Sequence, residues 1–228
     1  MIKEYIEQAR LNITPLQKVN VYLSEKYEQK LTKDVKSITF ENMYPIIFKQ
    51  MFDNRYLPKS EEPYIKRIER WLTRKETGLY KEMSTQTYQE LRTFKNAYYG
   101  HLYRRNPEYC QLLTEYINVF YTNLKKVVKD DNLIYYDTDT IFVKEINDDI
   151  INELNKLDIV YYIDDIRYIY VEGLKRLIWT NPYGGIEVKG MRSSKRASRY
   201  KYASKNADLL EEIIRREMRN DTLEKILQ

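Results

Sequence analysis

The sequence predicts an α+β fold. Two apolar β-forming runs, Leu133–Tyr136 and Ile141–Val143, flank the polar centre Asp137-Thr138-Asp139-Thr140, the signature of a hairpin. Segments with apolar residues at helical spacing occur on both sides of it. Strands separated by helices around one central hairpin are accounted for by an antiparallel sheet with helices on one face. The chain has 228 residues, which suits one large domain or two small ones, and 43% hydrophobic residues supply a core.

The elements follow in order. Residues 1–34 read as an N-terminal helical segment, because Ile6, Ala9, Ile13, Leu16 and Val19 recur at helical spacing. Residues 35–52 open with the alternation Val35, Ser37, Thr39 and become apolar at Met43–Phe48, which predicts a strand, a turn and a helix with Pro45 near its start. Residues 53–103 read as a loop and two helices. The first starts at Pro63, with Ile65, Ile68, Trp71 and Leu72 on one stripe, and the second is a long helix over 83–103. Residues 104–205 hold a helix over 108–129, the hairpin, a helix near 148–157, a strand or strand pair over Ile159–Val171 and a strand over Gly185–Met191. An amphipathic helix with Leu209, Leu210, Ile213, Ile214 and Met218 occupies 206–228.

Composition excludes several function classes. No apolar run approaches the roughly 18 residues of a transmembrane helix, and Met1-Ile2-Lys3-Glu4-Tyr5 is not a signal peptide. No membrane partner is expected, and the expected compartment is the cytoplasm. One cysteine, Cys110, excludes an intrachain disulfide framework and a Cys-built zinc site. One histidine, His101, excludes a multi-His site, so any metal is held by oxygen, which favours Mg²⁺, Mn²⁺ or Ca²⁺. Six glycines leave little material for a Gly-rich phosphate loop, while 23 tyrosines supply rings suited to stacking on nucleotides.

The net charge of +5 is mild, but its distribution is not. From Val188 to Ala207 there are seven basic residues and no acidic one. Such a run is either a solvated loop or a localised polyanion contact.

Three clusters carry candidate chemistry. Asp137 and Asp139 stand two residues apart at the predicted hairpin tip, where they form either an ordinary turn or a pair able to share a hard cation. Arg92, Asn96 and Tyr99 share a helix face, with Gly100 beside them. A cation, an amide and a ring next to bare backbone suit a nucleoside triphosphate, or belong incidentally to an amphipathic helix. Tyr44-Pro45 fixes a ring where a strand passes into a helix, a place from which it could gate a pocket by size or simply pack on a neighbour.

In order and spacing these clusters resemble family B DNA polymerases. That family carries Asp-x-x-Ser-Leu-Tyr-Pro, then Lys-x3-Asn-Ser-x-Tyr-Gly, then Tyr-x-Asp-Thr-Asp-Ser. Here they stand as Thr39-Phe40-Glu41-Asn42-Met43-Tyr44-Pro45, Arg92-x3-Asn96-Ala97-Tyr98-Tyr99-Gly100, and Tyr135-Tyr136-Asp137-Thr138-Asp139-Thr140. Leu174-Lys175-Arg176-Leu177 resembles the family's Lys-Lys-Arg-Tyr, and Val188-Lys189-Gly190-Met191 its following Lys-Gly segment.

The resemblance covers about residues 35–200 and implies a palm-like antiparallel sheet backed by helices, with a small helical fingers insertion over 53–103 between the two palm parts, 35–52 and 104–205. It implies that Asp137 and Asp139 are catalytic and bind Mg²⁺ or Mn²⁺. Arg92 would contact the incoming deoxynucleoside triphosphate, Asn96, Tyr99 and Gly100 would line the nascent base pair, and Tyr44 would be the gate against a ribose 2′-hydroxyl. Lys175, Arg176 and Lys189 would follow primer–template DNA, with Arg192, Lys195 and Arg196 in the duplex-binding segment. Other polymerase subunits are further implied partners.

The departures leave two functions open. Thr39 stands where the family has its first aspartate, Ala97 replaces the serine of the second motif, and Leu177 the tyrosine of the fourth. One function is template-directed DNA synthesis, possible as one chain of a split enzyme. The other is a catalytically inactive, polymerase-derived DNA-binding or scaffold protein of a viral replication complex. Glu41, two residues beyond Thr39 on the predicted strand, is expected on the same face and is the candidate replacement carboxylate.

Overall fold

Strand β2 (Leu31–Phe40) spans 10 residues, and its second half buries Val35 and Ser37 on one face of a sheet and Ile38 and Phe40 on the other. The structure is a computed structural model that describes residues 7, 20–76 (backbone only at 71 and 73–76), 100, 102, 104–180, 183, 185–189, 208 and 210–216. These residues form an α+β fold in two compact units.

The sheet unit holds Asn20–Phe40, Lys125–Asn152 and the described residues from Val160 onward. Its strands are β1 (Tyr22–Leu23), β2, β3 (Leu133–Asp137), β4 (Thr140–Val143), β5 (Tyr161–Gly173), β6 (Arg176–Thr180) and β7 (Ile186–Lys189). They are ordered β1-β3-β4-β2-β5-β6-β7, with antiparallel pairing throughout. Residues directly opposite across such pairs share a face. One face carries Val35, Tyr135, Phe142, Ile166, Ile169, Val171 and Leu177, packed with Trp179. On the other face Leu31, Tyr170 and Ile178 pack with Leu210, Ile213 and Ile214 of the helical residues 210–216; Leu209 and Met218 of the predicted stripe lie outside the described residues.

The sheet is curled. β3 and β7 are five steps apart in strand order, about 24 Å along a flat sheet at ~4.8 Å per step. Lys189 of β7 nevertheless reaches Asp137 of β3 at 3.0 Å.

The helical unit holds Glu41–Leu124 and Glu153–Ile159. Helix α1 (Met43–Asp53) buries Met43, Ile47, Phe48 and Met51. Its Gln50 side chain donates to the carbonyls of Leu157 (3.0 Å) and Asp158 (3.4 Å). Helix α2 (Glu62–Glu76) buries Ile65 and Ile68, and Lys49 of α1 pairs with Glu69 of α2 at 3.4 Å. Helix α3 (Pro107–Val127) buries Leu113, Tyr116, Ile117, Phe120 and Leu124, and its last turn enters the sheet unit, as does the first part of α4 (Asp148–Asn155).

Two expectations are settled by the strand pairing. The helical reading of 1–34 fails over its last part: Tyr22–Leu23 is a strand on β3, and β2 already starts at Leu31, because cross-strand pairing with β5 from Leu31↔Tyr170 outweighs local helical spacing. Residues 1–6 and 8–19 lie outside the described residues. The choice between strand and strand pair resolves to one strand, β5, turning at Leu174-Lys175 into β6, so the meander β5-β6-β7 is joined to the central hairpin through β2. The chain passes from the sheet unit to the helical unit after Phe40, where β2 ends.

Candidate active site at the hairpin tip

β3 and β4 are joined by the two-residue loop Thr138-Asp139, with Asp137 opposite Thr140. Thr138 has φ 47°, a left-handed conformation that a β-branched residue adopts only under strain. The backbone N–H of Phe40 donates to the Asp139 carbonyl at 2.9 Å, so the end of β2 holds the tip. Thr39 lies opposite Thr140 on one side and Tyr162 on the other. The register therefore places Asp137, Thr140, Thr39 and Tyr162 in one row across four strands on one face.

Asp137 is buried, and both of its oxygens are engaged. Thr138 Oγ1 donates to Oδ1 at 2.7 Å. Tyr135 OH donates to Oδ2 at 3.2 Å, from the position two residues earlier on the same face. Lys189 Nζ lies 3.0 Å from Oδ2. Burial by itself pushes the Asp137 pKa up. The Thr138 hydrogen bond, the Lys189 hydrogen bond and charge, and the Lys175 charge outweigh it and hold the carboxyl below the usual range. Burial, and after it the charge of Asp137, pushes the Tyr135 phenol up, so Tyr135 remains a hydrogen-bond donor. Asp139 is half-exposed and accepts from Thr140 Oγ1 at 3.3 Å.

The sequence-predicted residues separate into three groups. Lys175 and Lys189 come to Asp137 in the sheet unit, where Asp139 stands two residues on in the hairpin loop, with Lys175 in the left-handed region at φ 63° in the β5–β6 turn. Arg176 opens β6 immediately after that turn. It points to the face opposite its neighbour Leu177 and pairs with Glu172 at 2.9 Å, so it is not turned toward Asp137. Tyr44 is half-buried in the first turn of α1, and Gly100 is helical and exposed, with open space where a side chain would stand. Both belong to the helical unit. Arg92, Asn96, Tyr99, Arg192, Lys195 and Arg196 lie outside the described residues.

The Glu41 expectation is corrected. β2 ends at Phe40, Glu41 is in a bend and Asn42 has φ 55°, so the two-residue alternation that would carry Glu41 to the face of Thr39 has stopped. Sequence reasoning also missed the Tyr135 hydrogen bond and the Lys189 pairing. The first was signalled by the i, i+2 spacing of Tyr135 and Asp137. The second had no sequence signal, since it depends on the curl of the sheet.

The residues at the tip do not fit a pair of divalent cations in this arrangement. Two-metal chemistry needs carboxylates shared between cations about 3.5–4 Å apart. Thr39 offers a neutral hydroxyl, and the Asp137 oxygens already accept two hydroxyls and an ammonium. Among the described residues no group of three or more acidic, His or Cys side chains is placed to hold a metal.

A solved family B DNA polymerase from the hyperthermophilic archaeon Pyrobaculum calidifontis is similar to this chain, with a TM-score of 0.53 and 17% sequence identity, over 95% of this chain and 37% of the polymerase. The fold is polymerase-like. At that identity the likeness is one of fold, and the chain spans little more than a third of the polymerase's length. No protein-family model matches the sequence, and no curated protein matches it. In this polymerase-like fold the hairpin with Asp137 and Asp139 sits in the curled antiparallel sheet, as the sequence resemblance implies. Among the described residues no helix is long and apolar enough to cross a membrane.

Proposed function

We propose that this chain is a polymerase-derived DNA-binding domain that acts within a replication complex and does not polymerise DNA by itself. The observation that carries this reading is the row Asp137, Thr140, Thr39. In that row a hydroxyl, Thr39, stands where a further carboxylate is needed, and the row's own carboxylate, Asp137, is neutralised by Lys189. The polymerase-like fold and the basic run from Val188 to Ala207 support primer–template DNA as the partner. The contact is with phosphates, so it tolerates any sequence and weakens steeply with salt.

Fluorescence anisotropy of a labelled primer–template duplex across a salt series tests this. Replacing Arg192, Lys195 and Arg196 together by Ala should weaken binding on every duplex and lower the salt slope by up to about three contacts. Lys189 is left intact in that variant because its ammonium is engaged by Asp137. An unchanged affinity and slope would show a solvated loop and refute the reading.

A second reading, nucleotidyl transfer with Mg²⁺ or Mn²⁺ and deoxynucleoside triphosphates as one chain of a split polymerase, is favoured by the two carboxylates at the hairpin tip and by Tyr44-Pro45 opening α1. Primer extension that wild type performs and Asp139→Asn abolishes would establish it.

A further inference from the structure

We propose that Lys189 is the resident cation of the carboxylate site: its ammonium occupies the side of Asp137 that a divalent cation would take, and such a cation enters only when Lys189 leaves. The inference concerns the sheet unit alone and holds whether or not the domain binds DNA.

The first argument is saturation. Asp137 has one oxygen on Thr138 and the other shared by Tyr135 and Lys189. A hard cation binding Oδ2 would have to displace the ammonium, because two positive charges at contact distance from one oxygen repel strongly. The second is an asymmetry of burial. The Asp137 side chain is 4% exposed and the Lys189 side chain 37% exposed. Asp137 is fixed by its strand and its hydroxyl donors. Lys189 ends the edge strand β7, which pairs with β6 alone among the described strands, and its flexible stem lets the ammonium return to water. The lysine is therefore the partner that can move.

The third argument is the neighbourhood. Lys175 in the β5–β6 turn adds a second positive charge near Asp137, and Asp139, one residue past Thr138, accepts from the Thr140 hydroxyl at 3.3 Å. Removing the Lys189 charge leaves the buried Asp137 carboxylate balanced by Lys175, with a second carboxylate, Asp139, two residues along the hairpin, an arrangement that attracts a divalent cation. Replacing it by arginine preserves the block, since a guanidinium also pairs with a carboxylate.

The test is titration of the full chain with Mn²⁺ alone, reading free Mn²⁺ by electron paramagnetic resonance, with folding checked by circular dichroism. Wild type and Lys189→Arg should bind Mn²⁺ weakly and alike. Lys189→Met should bind at least tenfold more tightly, and Asp137→Asn in the Lys189→Met background should remove the gain. Lys189→Gln, which keeps a polar side chain at the β7 end, serves if the Met variant does not fold. The proposal is overturned if wild type binds as tightly as the charge-removed variant, or if the gain survives Asp137→Asn.

Discussion

Lys189 Nζ lies 3.0 Å from Asp137 Oδ2 and joins the last strand of the sheet to the second. The pair closes the curl of the sheet beside the core formed by Tyr135, Phe142, Leu177 and their neighbours. It also sets how the site responds to acid.

Asp137 has its carboxyl held below the ordinary range, so its contribution to stability is fully present above the unfolded-state pKa of about 3.9 and is lost as pH falls through the lower folded-state value. Asp137→Asn should therefore cost roughly 1–2 kcal/mol at neutral pH, less than a fully buried pair because Lys189 is partly solvated. The difference from wild type should shrink below about pH 4 and vanish in stronger acid. Urea unfolding at a series of pH values measures it; a difference that does not change with pH would mean the carboxylate charge plays no part.

Thr39 stands in register between Thr140 and Tyr162. Wild type should extend a primed template no faster than a protein-free control in Mg²⁺ or Mn²⁺. Thr39→Asp supplies the absent carboxylate, and combined with Lys189→Met it should give measurable primer extension that Asp139→Asn removes. Extension by wild type that Asp139→Asn abolishes would instead mean that the site works as it stands.

Phe142 is buried in the same face of the sheet, with its ring 5.6 Å from Trp179 and 6.3 Å from Tyr135. Phe142→Ala should cost about 3–5 kcal/mol through lost burial and an unfilled cavity. Chemical denaturation gives the loss, and Trp179 emission should change in the folded state because its edge-on partner is gone.

Cys110 is buried on α3, and burial pushes its thiol up to about 12. A thiol that is protonated and covered does not react with an aromatic disulfide reagent at pH 8. One thiol per chain should titrate in denaturant and essentially none in the native protein. Fast native reaction would show that α3 opens at its start.

Local chemistry decided much of what the sequence revealed. β-forming residues around Asp137-Thr138-Asp139-Thr140 specify the hairpin, Asn42 and Pro45 mark the change from β2 to α1, and helical spacing specifies α2, α3 and the residues 210–216, because each depends on neighbours within a turn or a strand. The aspartates, Thr39 and the basic run were legible for the same reason. Strand pairing was not. Tyr22–Leu23 and Leu31–Lys33 are strands because β3 and β5 lie beside them, and no local signal carries that information. β2 ends at Phe40, so strand alternation does not carry on to Glu41, and the curl of the sheet brought Lys189 onto Asp137. Both depend on where distant strands sit. The sequence by itself determined which side chains could do chemistry, and the tertiary structure alone decided which of them neutralise one another, since a charge pair depends on distance in space and not along the chain.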